Sequence, residues 1–415
     1  MNDRRFGARR LRQGFSRRGR GRAALLAAAA VVAATLSACS SGGSSAASNS
    51  AYTLALVVDQ TGALAGTDST ATGGLQTWVD QVNASGGVNG HKVNLQVFDA
   101  KSDPNAGASA FRQAIATNPL LILHAGVSSE LASSESVLSS AKIPVISIST
   151  VDDLLAPKPT PWFFSIDATS SQFAAAQIEM LQKSLGEPLQ GKKIAIVNGV
   201  SAALTEIGDF AQNNYAKQYG YTTTTTNITN GITAFPQAGP MASSHPAAAF
   251  LNTIGNDTAT IAQALTSSGL NIPMDTNTTG ASDAFLEQVA LPKFYGFQLA
   301  PTPKPGDALT TLAAKYGQQK SAPSSSFGMG YALGYLSGRA LAKCGDSCSA
   351  SNVESALDGL GTVTVPDNAL YGPVTFSATN HSGLGAVGFN AYDPATKGVV
   401  QAAVIKLPAP IYGTS

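Results

Sequence analysis

From Tyr52 onward the chain alternates two kinds of segment, and this alternation limits the fold more than any other feature of its 415 residues. YTLALVVD (52–59) is a continuous apolar run, as in a strand buried on both faces. GGLQTWVDQVNASGG (73–87) follows, with Leu75, Trp78, Val79 and Val82 on one helical face and glycines as a stop. HKVNLQVFDA (91–100) alternates as a strand, and ASAFRQAI (108–115) has helical spacing. LLILH (120–124) and PVISIS (144–149) read as strands on either side of a helix around Glu130 to Ser140. Repeated strand, helix, strand units imply a parallel sheet with helices on both faces.

A second set begins after PKPTPWFFSIDATSS (157–171), a Pro-rich stretch without a period that suits a crossover. KKIAIVNG (192–199), AAAFLNT (247–253) and FYGFQLA (294–300) are strand patterns, while TEIGDFAQNNYAKQYG (205–220) and TATIAQALTSSG (258–269) are helical. A long helix, SSFGMGYALGYLSGRALAK (325–343), and extended segments near 361–407 complete the chain. The expectation is an α/β protein of two doubly wound parallel-sheet lobes joined by a multi-strand hinge. Residues 51–166 with 300–375 would form the first lobe and 167–299 with 376–412 the second. Gly330, Gly334 and Gly338 make a small-residue stripe that, in a protein outside the membrane, means close helix packing.

The first 50 residues stand apart. Residues 1–22 hold nine arginines and one acid, Asp3, and AALLAAAAVVAATLSA (23–38) is a sixteen-residue uncharged run ending before Cys39. Charge, length and small-residue end are those of a secretory signal peptide. Leu36-Ser37-Ala38-Cys39 resembles the bacterial lipobox, which implies cleavage before Cys39 and lipid on its sulfur. A membrane-spanning anchor is the competing reading, but sixteen residues fall short of the roughly 20 needed to span. Ser16-Arg17-Arg18 leaves twin-arginine export open beside the general route. SSGGSSAASNS (40–50) reads as a flexible tether, and the body would sit lipid-anchored on the extracytoplasmic face of the cell membrane.

Without the leader, 17 basic residues face 24 acidic ones, a net charge of −7 from Cys39 onward. That balance excludes the basic footprint of a nucleic-acid binder. Cys344 and Cys348, in KCGDSCS, could close a local disulfide in an oxidising space or form half of a metal site, but no second Cys or His pair follows. The four histidines, His91, His124, His245 and His381, are isolated, and no GxSxG, HExxH or phosphate-loop motif occurs. Neither an enzyme nor a resident cofactor is expected. His124 ends a strand, where a satisfied structural role competes with ligand contact.

In open parallel sheets ligands bind outside the carboxyl ends of the strands. LLILHAGVSSELAS (120–133) places such an end at Gly126, with Ser128 and Ser129 just before a helix. Two roles fit those serines. One of them could cap the helix, or the positive helix end and the hydroxyls could receive a carboxylate.

TGALAG (61–66), VNASGGVNGHKV (82–93), DAKSDPNAG (99–107), GVSSE (126–130) and KIPVISIST (142–150) stand in the order and spacing of the periplasmic type I substrate-binding proteins of branched-chain amino acid importers. The chain resembles that family strongly over about 51–165, by pattern over 190–300, and again in the Gly330 to Lys343 helix and YGPVTFSATNHSG (371–383). The resemblance implies a two-lobed protein that closes on a small molecule and delivers it to an ABC permease and its ATPase. A ligand sensor that signals to a membrane receptor is the alternative. By position, the resemblance assigns ligand contacts to Ser128, Ser129, Ser149 and Thr150.

The second lobe departs from the family. Ser201 and Ala202 stand where an aromatic residue is usual, and Thr278 stands near the acid that would hold a ligand ammonium. Asp275 or Asp257 could substitute for that acid, or the ligand could lack an ammonium. The ligand class left open is an amino acid, an amide or another small carboxylate.

Overall fold

The computed structural model describes residues 50–277, 281–345 and 348–413. The leader, most of the tether, Cys39 and Thr278 lie outside them.

The first half is built as the alternation implies: β1 (Tyr52–Val58), α1 (Ala65–Ala84), β2 (Val93–Asp99), α2 (Pro104–Ala116), β3 (Leu121–Ala125), α3 (Ser128–Ala141) and β4 (Val145–Ser147); the Pro-rich crossover adds a fifth strand, β5 (Phe163–Ser165). The five strands are parallel, in the order β2-β1-β3-β4-β5. Residues of β1 and β3 are buried on both faces because α1 covers one side and α2 with α3 the other.

The second sheet follows α4 (Ser170–Leu185). It takes β6 (Lys193–Asn198), α5 (Ala202–Asp209), α6 (Ala216–Tyr219), β7 (Thr222–Asn227), α7 (Ala238–Ser243), β8 (Ala248–Asn252), α8 (Gly255–Ser267), β9 (Met274–Thr276), α9 (Asp283–Val289) and β10 (Phe294–Gln298). The chain continues through α10 (Ala308–Lys315), α11 (Ser325–Cys344), α12 (Ala350–Asp358) and the short pair β11 (Gly361–Val363) and β12 (Val374–Phe376). It ends with β13 (Ala386–Asp393) and β14 (Gly398–Lys406). The order is β14-β13-β10-β9-β8-β6-β7; β6 to β10 are parallel, β13 runs antiparallel to β10, and β14 turns back antiparallel to β13. The sheet is parallel from β7 through β10, as the doubly wound reading implies, and it closes with the hairpin β13–β14, whose short connection forces antiparallel pairing.

Local signals explain the helix starts. Asp103 caps α2 through the N–H groups of Asn105 and Ala106, with Pro104 in the first turn. Thr169 and Gln172 form a reciprocal capping box on α4. One expected helix, 205–220, begins earlier, at Ala202, and passes through a π-helical stretch at Phe210–Tyr215 before α6.

Helix α11 packs along α1, and the glycine stripe is the reason it can. A Cβ at Gly330 would lie 1.8 Å from the Ala71 carbonyl oxygen, and one at Gly334 would lie 2.6 Å from the Trp78 ring. Trp78 is thereby buried to 5% exposure against a helix that arrives from late in the chain. Burying a large apolar side chain in this way stabilises by about 1.5–3 kcal/mol.

The crossing strands are stitched to each other. Ser165 N–H donates to the His381 carbonyl and Gly383 N–H to the Ser165 carbonyl, both at 2.8 Å. The His381 ring reaches the Phe163 carbonyl at 2.8 Å and the Asp358 carboxylate at 2.9 Å, so it is a structural histidine. Cys344 and Cys348 are joined in a disulfide after α11. Among the described residues, no helix is long and apolar enough to cross a membrane.

Candidate functional site

In the first sheet the strand order reverses between β1 and β3. Beyond β3 the chain turns at Gly126 and enters α3 at Ser128. Its N-cap is Val127, which has no side-chain cap hydrogen bond. Ser128 is half-buried, Ser129 is exposed, and neither hydroxyl has a partner among the described residues. The N–H groups that open a helix have no intrahelical acceptor. Free donors and free hydroxyls therefore coincide at the reversal point.

The other two residues are engaged within the protein. Ser149 donates its hydroxyl to the Gly126 carbonyl, and its N–H donates to Ser147 Oγ at 2.8 Å. Thr150 Oγ1 lies 2.6 Å from Ser165 Oγ. Ser149 thus fixes the Gly126 turn, while Thr150 stands beside the first crossing strand.

Under this turn lies a buried polar stack. His124 places Nδ1 2.9 Å from Ser147 Oγ and Nε2 3.1 Å from Glu130 Oε2. Burial lowers the His124 pKa to about 3, so the ring is neutral. Burial, then the charge of Asp59, raises Glu130 to about 9, and the same two causes raise Asp68 to about 8. Asp59 itself accepts Ser102 N–H and Oγ–H at 2.5 and 2.8 Å. Held neutral, Glu130 and Asp68 can donate to Asp59, and Gly126 carries no Cβ because one would meet Glu130 Oε2 at 2.4 Å.

The second sheet repeats the reversal between β6 and β8. Ser201 serves there as the N-cap of α5, accepting Leu204 N–H at 3.3 Å. Asp257 accepts Gly231 and Ile232 N–H, each at 2.9 Å. Asp275 is fully buried beneath α4, where Gln177 donates to it at 3.0 Å and burial raises its pKa well above the usual range. Neither acid stands open at the strand ends. Sequence reasoning missed Val200 and Ile254, which are 59% and 37% exposed at those ends. An aliphatic residue just past a strand, amid Gly, Ser and Thr, was the available signal.

Near the first crossing, Asp152 accepts Ser170 N–H at 3.0 Å, and Ser170 Oγ–H donates to Glu206 at 2.9 Å. Burial and the Glu206 charge raise Asp152 to about 7. Two cavities, of about 300 and 400 Å³, lie away from all these residues, one against Tyr219 and Leu407 and the other against Leu309 and Tyr371.

A family model described as periplasmic binding protein matches residues 51–392. The chain belongs to that family. Among curated relatives, this periplasmic binding protein is 28% identical over 186 residues to Leu/Ile/Val-binding protein homolog 8 of Brucella suis biovar 1 (strain 1330). The match covers 42% of this chain and 46% of the relative. The matched part thus spans less than half of that relative's length. Among solved structures, it resembles an ABC transporter substrate-binding protein from Sphaerobacter thermophilus, with TM-score 0.72, 17% identity and coverage of 86% and 98% of the two chains. The branched-chain amino acid transporter substrate-binding protein LivJ from Streptococcus pneumoniae str. Canada MDR_19A, solved with isoleucine, gives 0.69 at 18% identity, covering 86% of this chain and 99% of that one. A fatty acid ABC transporter substrate-binding protein from Thermomonospora curvata gives 0.66 at 19%, covering 85% and 91%. At these identities the likeness is one of fold: two lobes, each an α/β layer structure.

Proposed function

We propose that this periplasmic binding protein captures a small carboxylate-bearing ligand between its lobes and delivers it to an ABC permease and its ATPase. The first lobe, 51–166 with 300–375, receives the carboxylate on the α3 N-terminus and the hydroxyls of Ser128 and Ser129. Thr150 adds a neighbouring hydroxyl, and Ser149 holds the receiving turn in shape. The second lobe, 167–299 with 376–412, then closes over the ligand. Lipid on Cys39 keeps the protein beside the permease at the extracytoplasmic face.

The observation that carries this reading is the uncapped start of α3 at the strand-order reversal. Two serines stand there and neither satisfies the helix itself. A carboxylate supplies the acceptors that those N–H and O–H groups lack.

A thermal-shift screen of amino acids, amides, aromatic acids and short carboxylates tests the reading. A ligand present at about 100 times its Kd adds about 2.7 kcal/mol to the folded state. Failure of every carboxylate to raise the melting temperature refutes it.

A further inference from the structure

Val200 and Ile254 occupy matching places. The last paired residues of β6 and β8 are Asn198 and Asn252, and each aliphatic side chain stands two positions beyond its asparagine. Gly199 N–H donates to the Asn252 carbonyl at 2.8 Å, so the two loops leave the sheet side by side. Both lie at the carboxyl edge, at the reversal point where a doubly wound sheet meets its ligand. Large aliphatic side chains exposed to 59% and 37% at such a place give up water when something apolar covers them.

The charges around them are as informative. The segments that leave β6, β8 and β9 read GVSAA (199–203), TIGN (253–256) and NTTGA (277–281), without an acid. The first acids beyond them are committed elsewhere: Glu206 to Ser170, Asp257 to the 231–232 backbone, and Asp283 to the side-chain amides of Gln298 and Asn390. Asp275 is sealed under α4. On the opposite lobe Asp59, Asp68 and Glu130 are buried to 0%, 3% and 0% and face one another. Asp152 accepts Ser170 N–H and Asp167 accepts Ala168 N–H, at 3.0 and 2.7 Å. An ammonium enclosed without a carboxylate partner is strongly disfavoured.

Resting on the carboxylate reading above, we infer that the ligand is an apolar carboxylate without an amino group, and that Val200 and Ile254 are the second-lobe residues that select it. The carboxylate lies on the first lobe and the hydrocarbon body lies under the two aliphatic side chains. Selection against amino acids follows from the missing acid, and selection against polar carboxylates from the aliphatic pair.

Calorimetric titration of the mature protein with matched pairs tests this: 4-methylpentanoate against L-leucine, hexanoate against L-norleucine, and 3-phenylpropanoate against L-phenylalanine. The member without nitrogen should bind at least about 10-fold tighter in the pair that fits best. Val200→Ser with Ile254→Ser should weaken that member by about 10-fold or more. Val200→Asp, at an exposed position, should shift preference toward the amino acid. Tighter binding of the amino acids overturns the inference and leaves the carboxylate reading standing. Absence of binding by all six compounds also overturns it, and the broader screen then judges the carboxylate reading by itself. Binding of the nitrogen-free members that is indifferent to Ser129→Ala upholds the inference about ligand class and refutes the first-lobe contacts.

Discussion

Ser149 donates its hydroxyl to the carbonyl oxygen of Gly126, so the turn beyond β4 is tied to the turn beyond β3. The two loops that carry the candidate contacts therefore move as one piece, while Ser128 and Ser129 on the same turn remain available to a ligand.

Ser129→Ala should separate binding from folding. Losing a hydrogen bond to a charged group costs about 1.5–3 kcal/mol, which weakens affinity by roughly 10- to 150-fold. Because Val127, not a serine, occupies the N-cap, the unliganded protein should melt within about 0.5 kcal/mol of the parent. Titration beside an unliganded melt measures both. An unchanged affinity, or a stability loss of about 1 kcal/mol without one in affinity, returns Ser129 to a structural role.

Stability should fall as pH rises from about 5 to about 9. Asp68 and Glu130 titrate near 8 and 9 in the native protein against ordinary values of 3.8 and 4.5, so over that interval the native state holds protons the unfolded chain has released. Their contribution is complete below the unfolded values, declines through the interval and levels off above the folded ones. Melting at closely spaced pH values should show this, and Asp68→Asn with Glu130→Gln should flatten the profile. An unchanged slope in the double variant sinks the assignment.

Gly330→Ala should destabilise, although alanine is the better helix former by about 1 kcal/mol. The added methyl meets the Ala71 carbonyl, and overpacking of this kind costs about 1–3 kcal/mol or more. Gly66→Ala, where a Cβ meets nothing within 4 Å, is the control and should be neutral or mildly stabilising. Equal melting shifts for the two variants would show that the α1–α11 contact tolerates a wider gap than described.

Cys344→Ser with Cys348→Ser should leave a folded protein. Closing so short a loop contributes at most about 2 kcal/mol in the chain-entropy account. Thiol labelling of the denatured, unreduced parent should find both sulfurs blocked, and labelling at either position contradicts the bridge.

Cys39→Ala should release the protein from the membrane fraction, since lipid on Cys39 is the proposed anchor. Retention of the variant after high-salt washing counts against lipid anchoring.

The alternation of apolar runs with helical spacing made four strands of the five-stranded sheet readable, while β5 (Phe163–Ser165) lay hidden in the Pro-rich stretch read as a crossover. The start of α1 at Ala65 rather than Gly73 was hidden because AGTDSTAT (65–72) is small and polar, and the two residues it buries, Asp68 and Ala71, do not read as an apolar face. The antiparallel pair β13 and β14 was hidden for another reason. Strand direction depends on connection length and partner, not on composition. At the site, the serines were legible because they sit between a strand and a helix in sequence. The Glu130–Asp59 contact and the parallel placement of Val200 and Ile254 join distant segments, which periodicity does not report.

Tyr331 on α11 reaches Gln81 on α1 across 250 residues of sequence, at 2.9 Å. By the time residue 324 has been synthesised, all five strands of the first sheet exist, yet the helix that packs over α1 does not. Until α11 arrives, the Trp78 face of α1 is bare apolar surface, and loop closure over such a separation is slow. The first lobe to be made is thus among the last to be finished. Until that late helix is made, the early lobe keeps uncovered the face of α1 that Gly330 and Gly334 are shaped to receive.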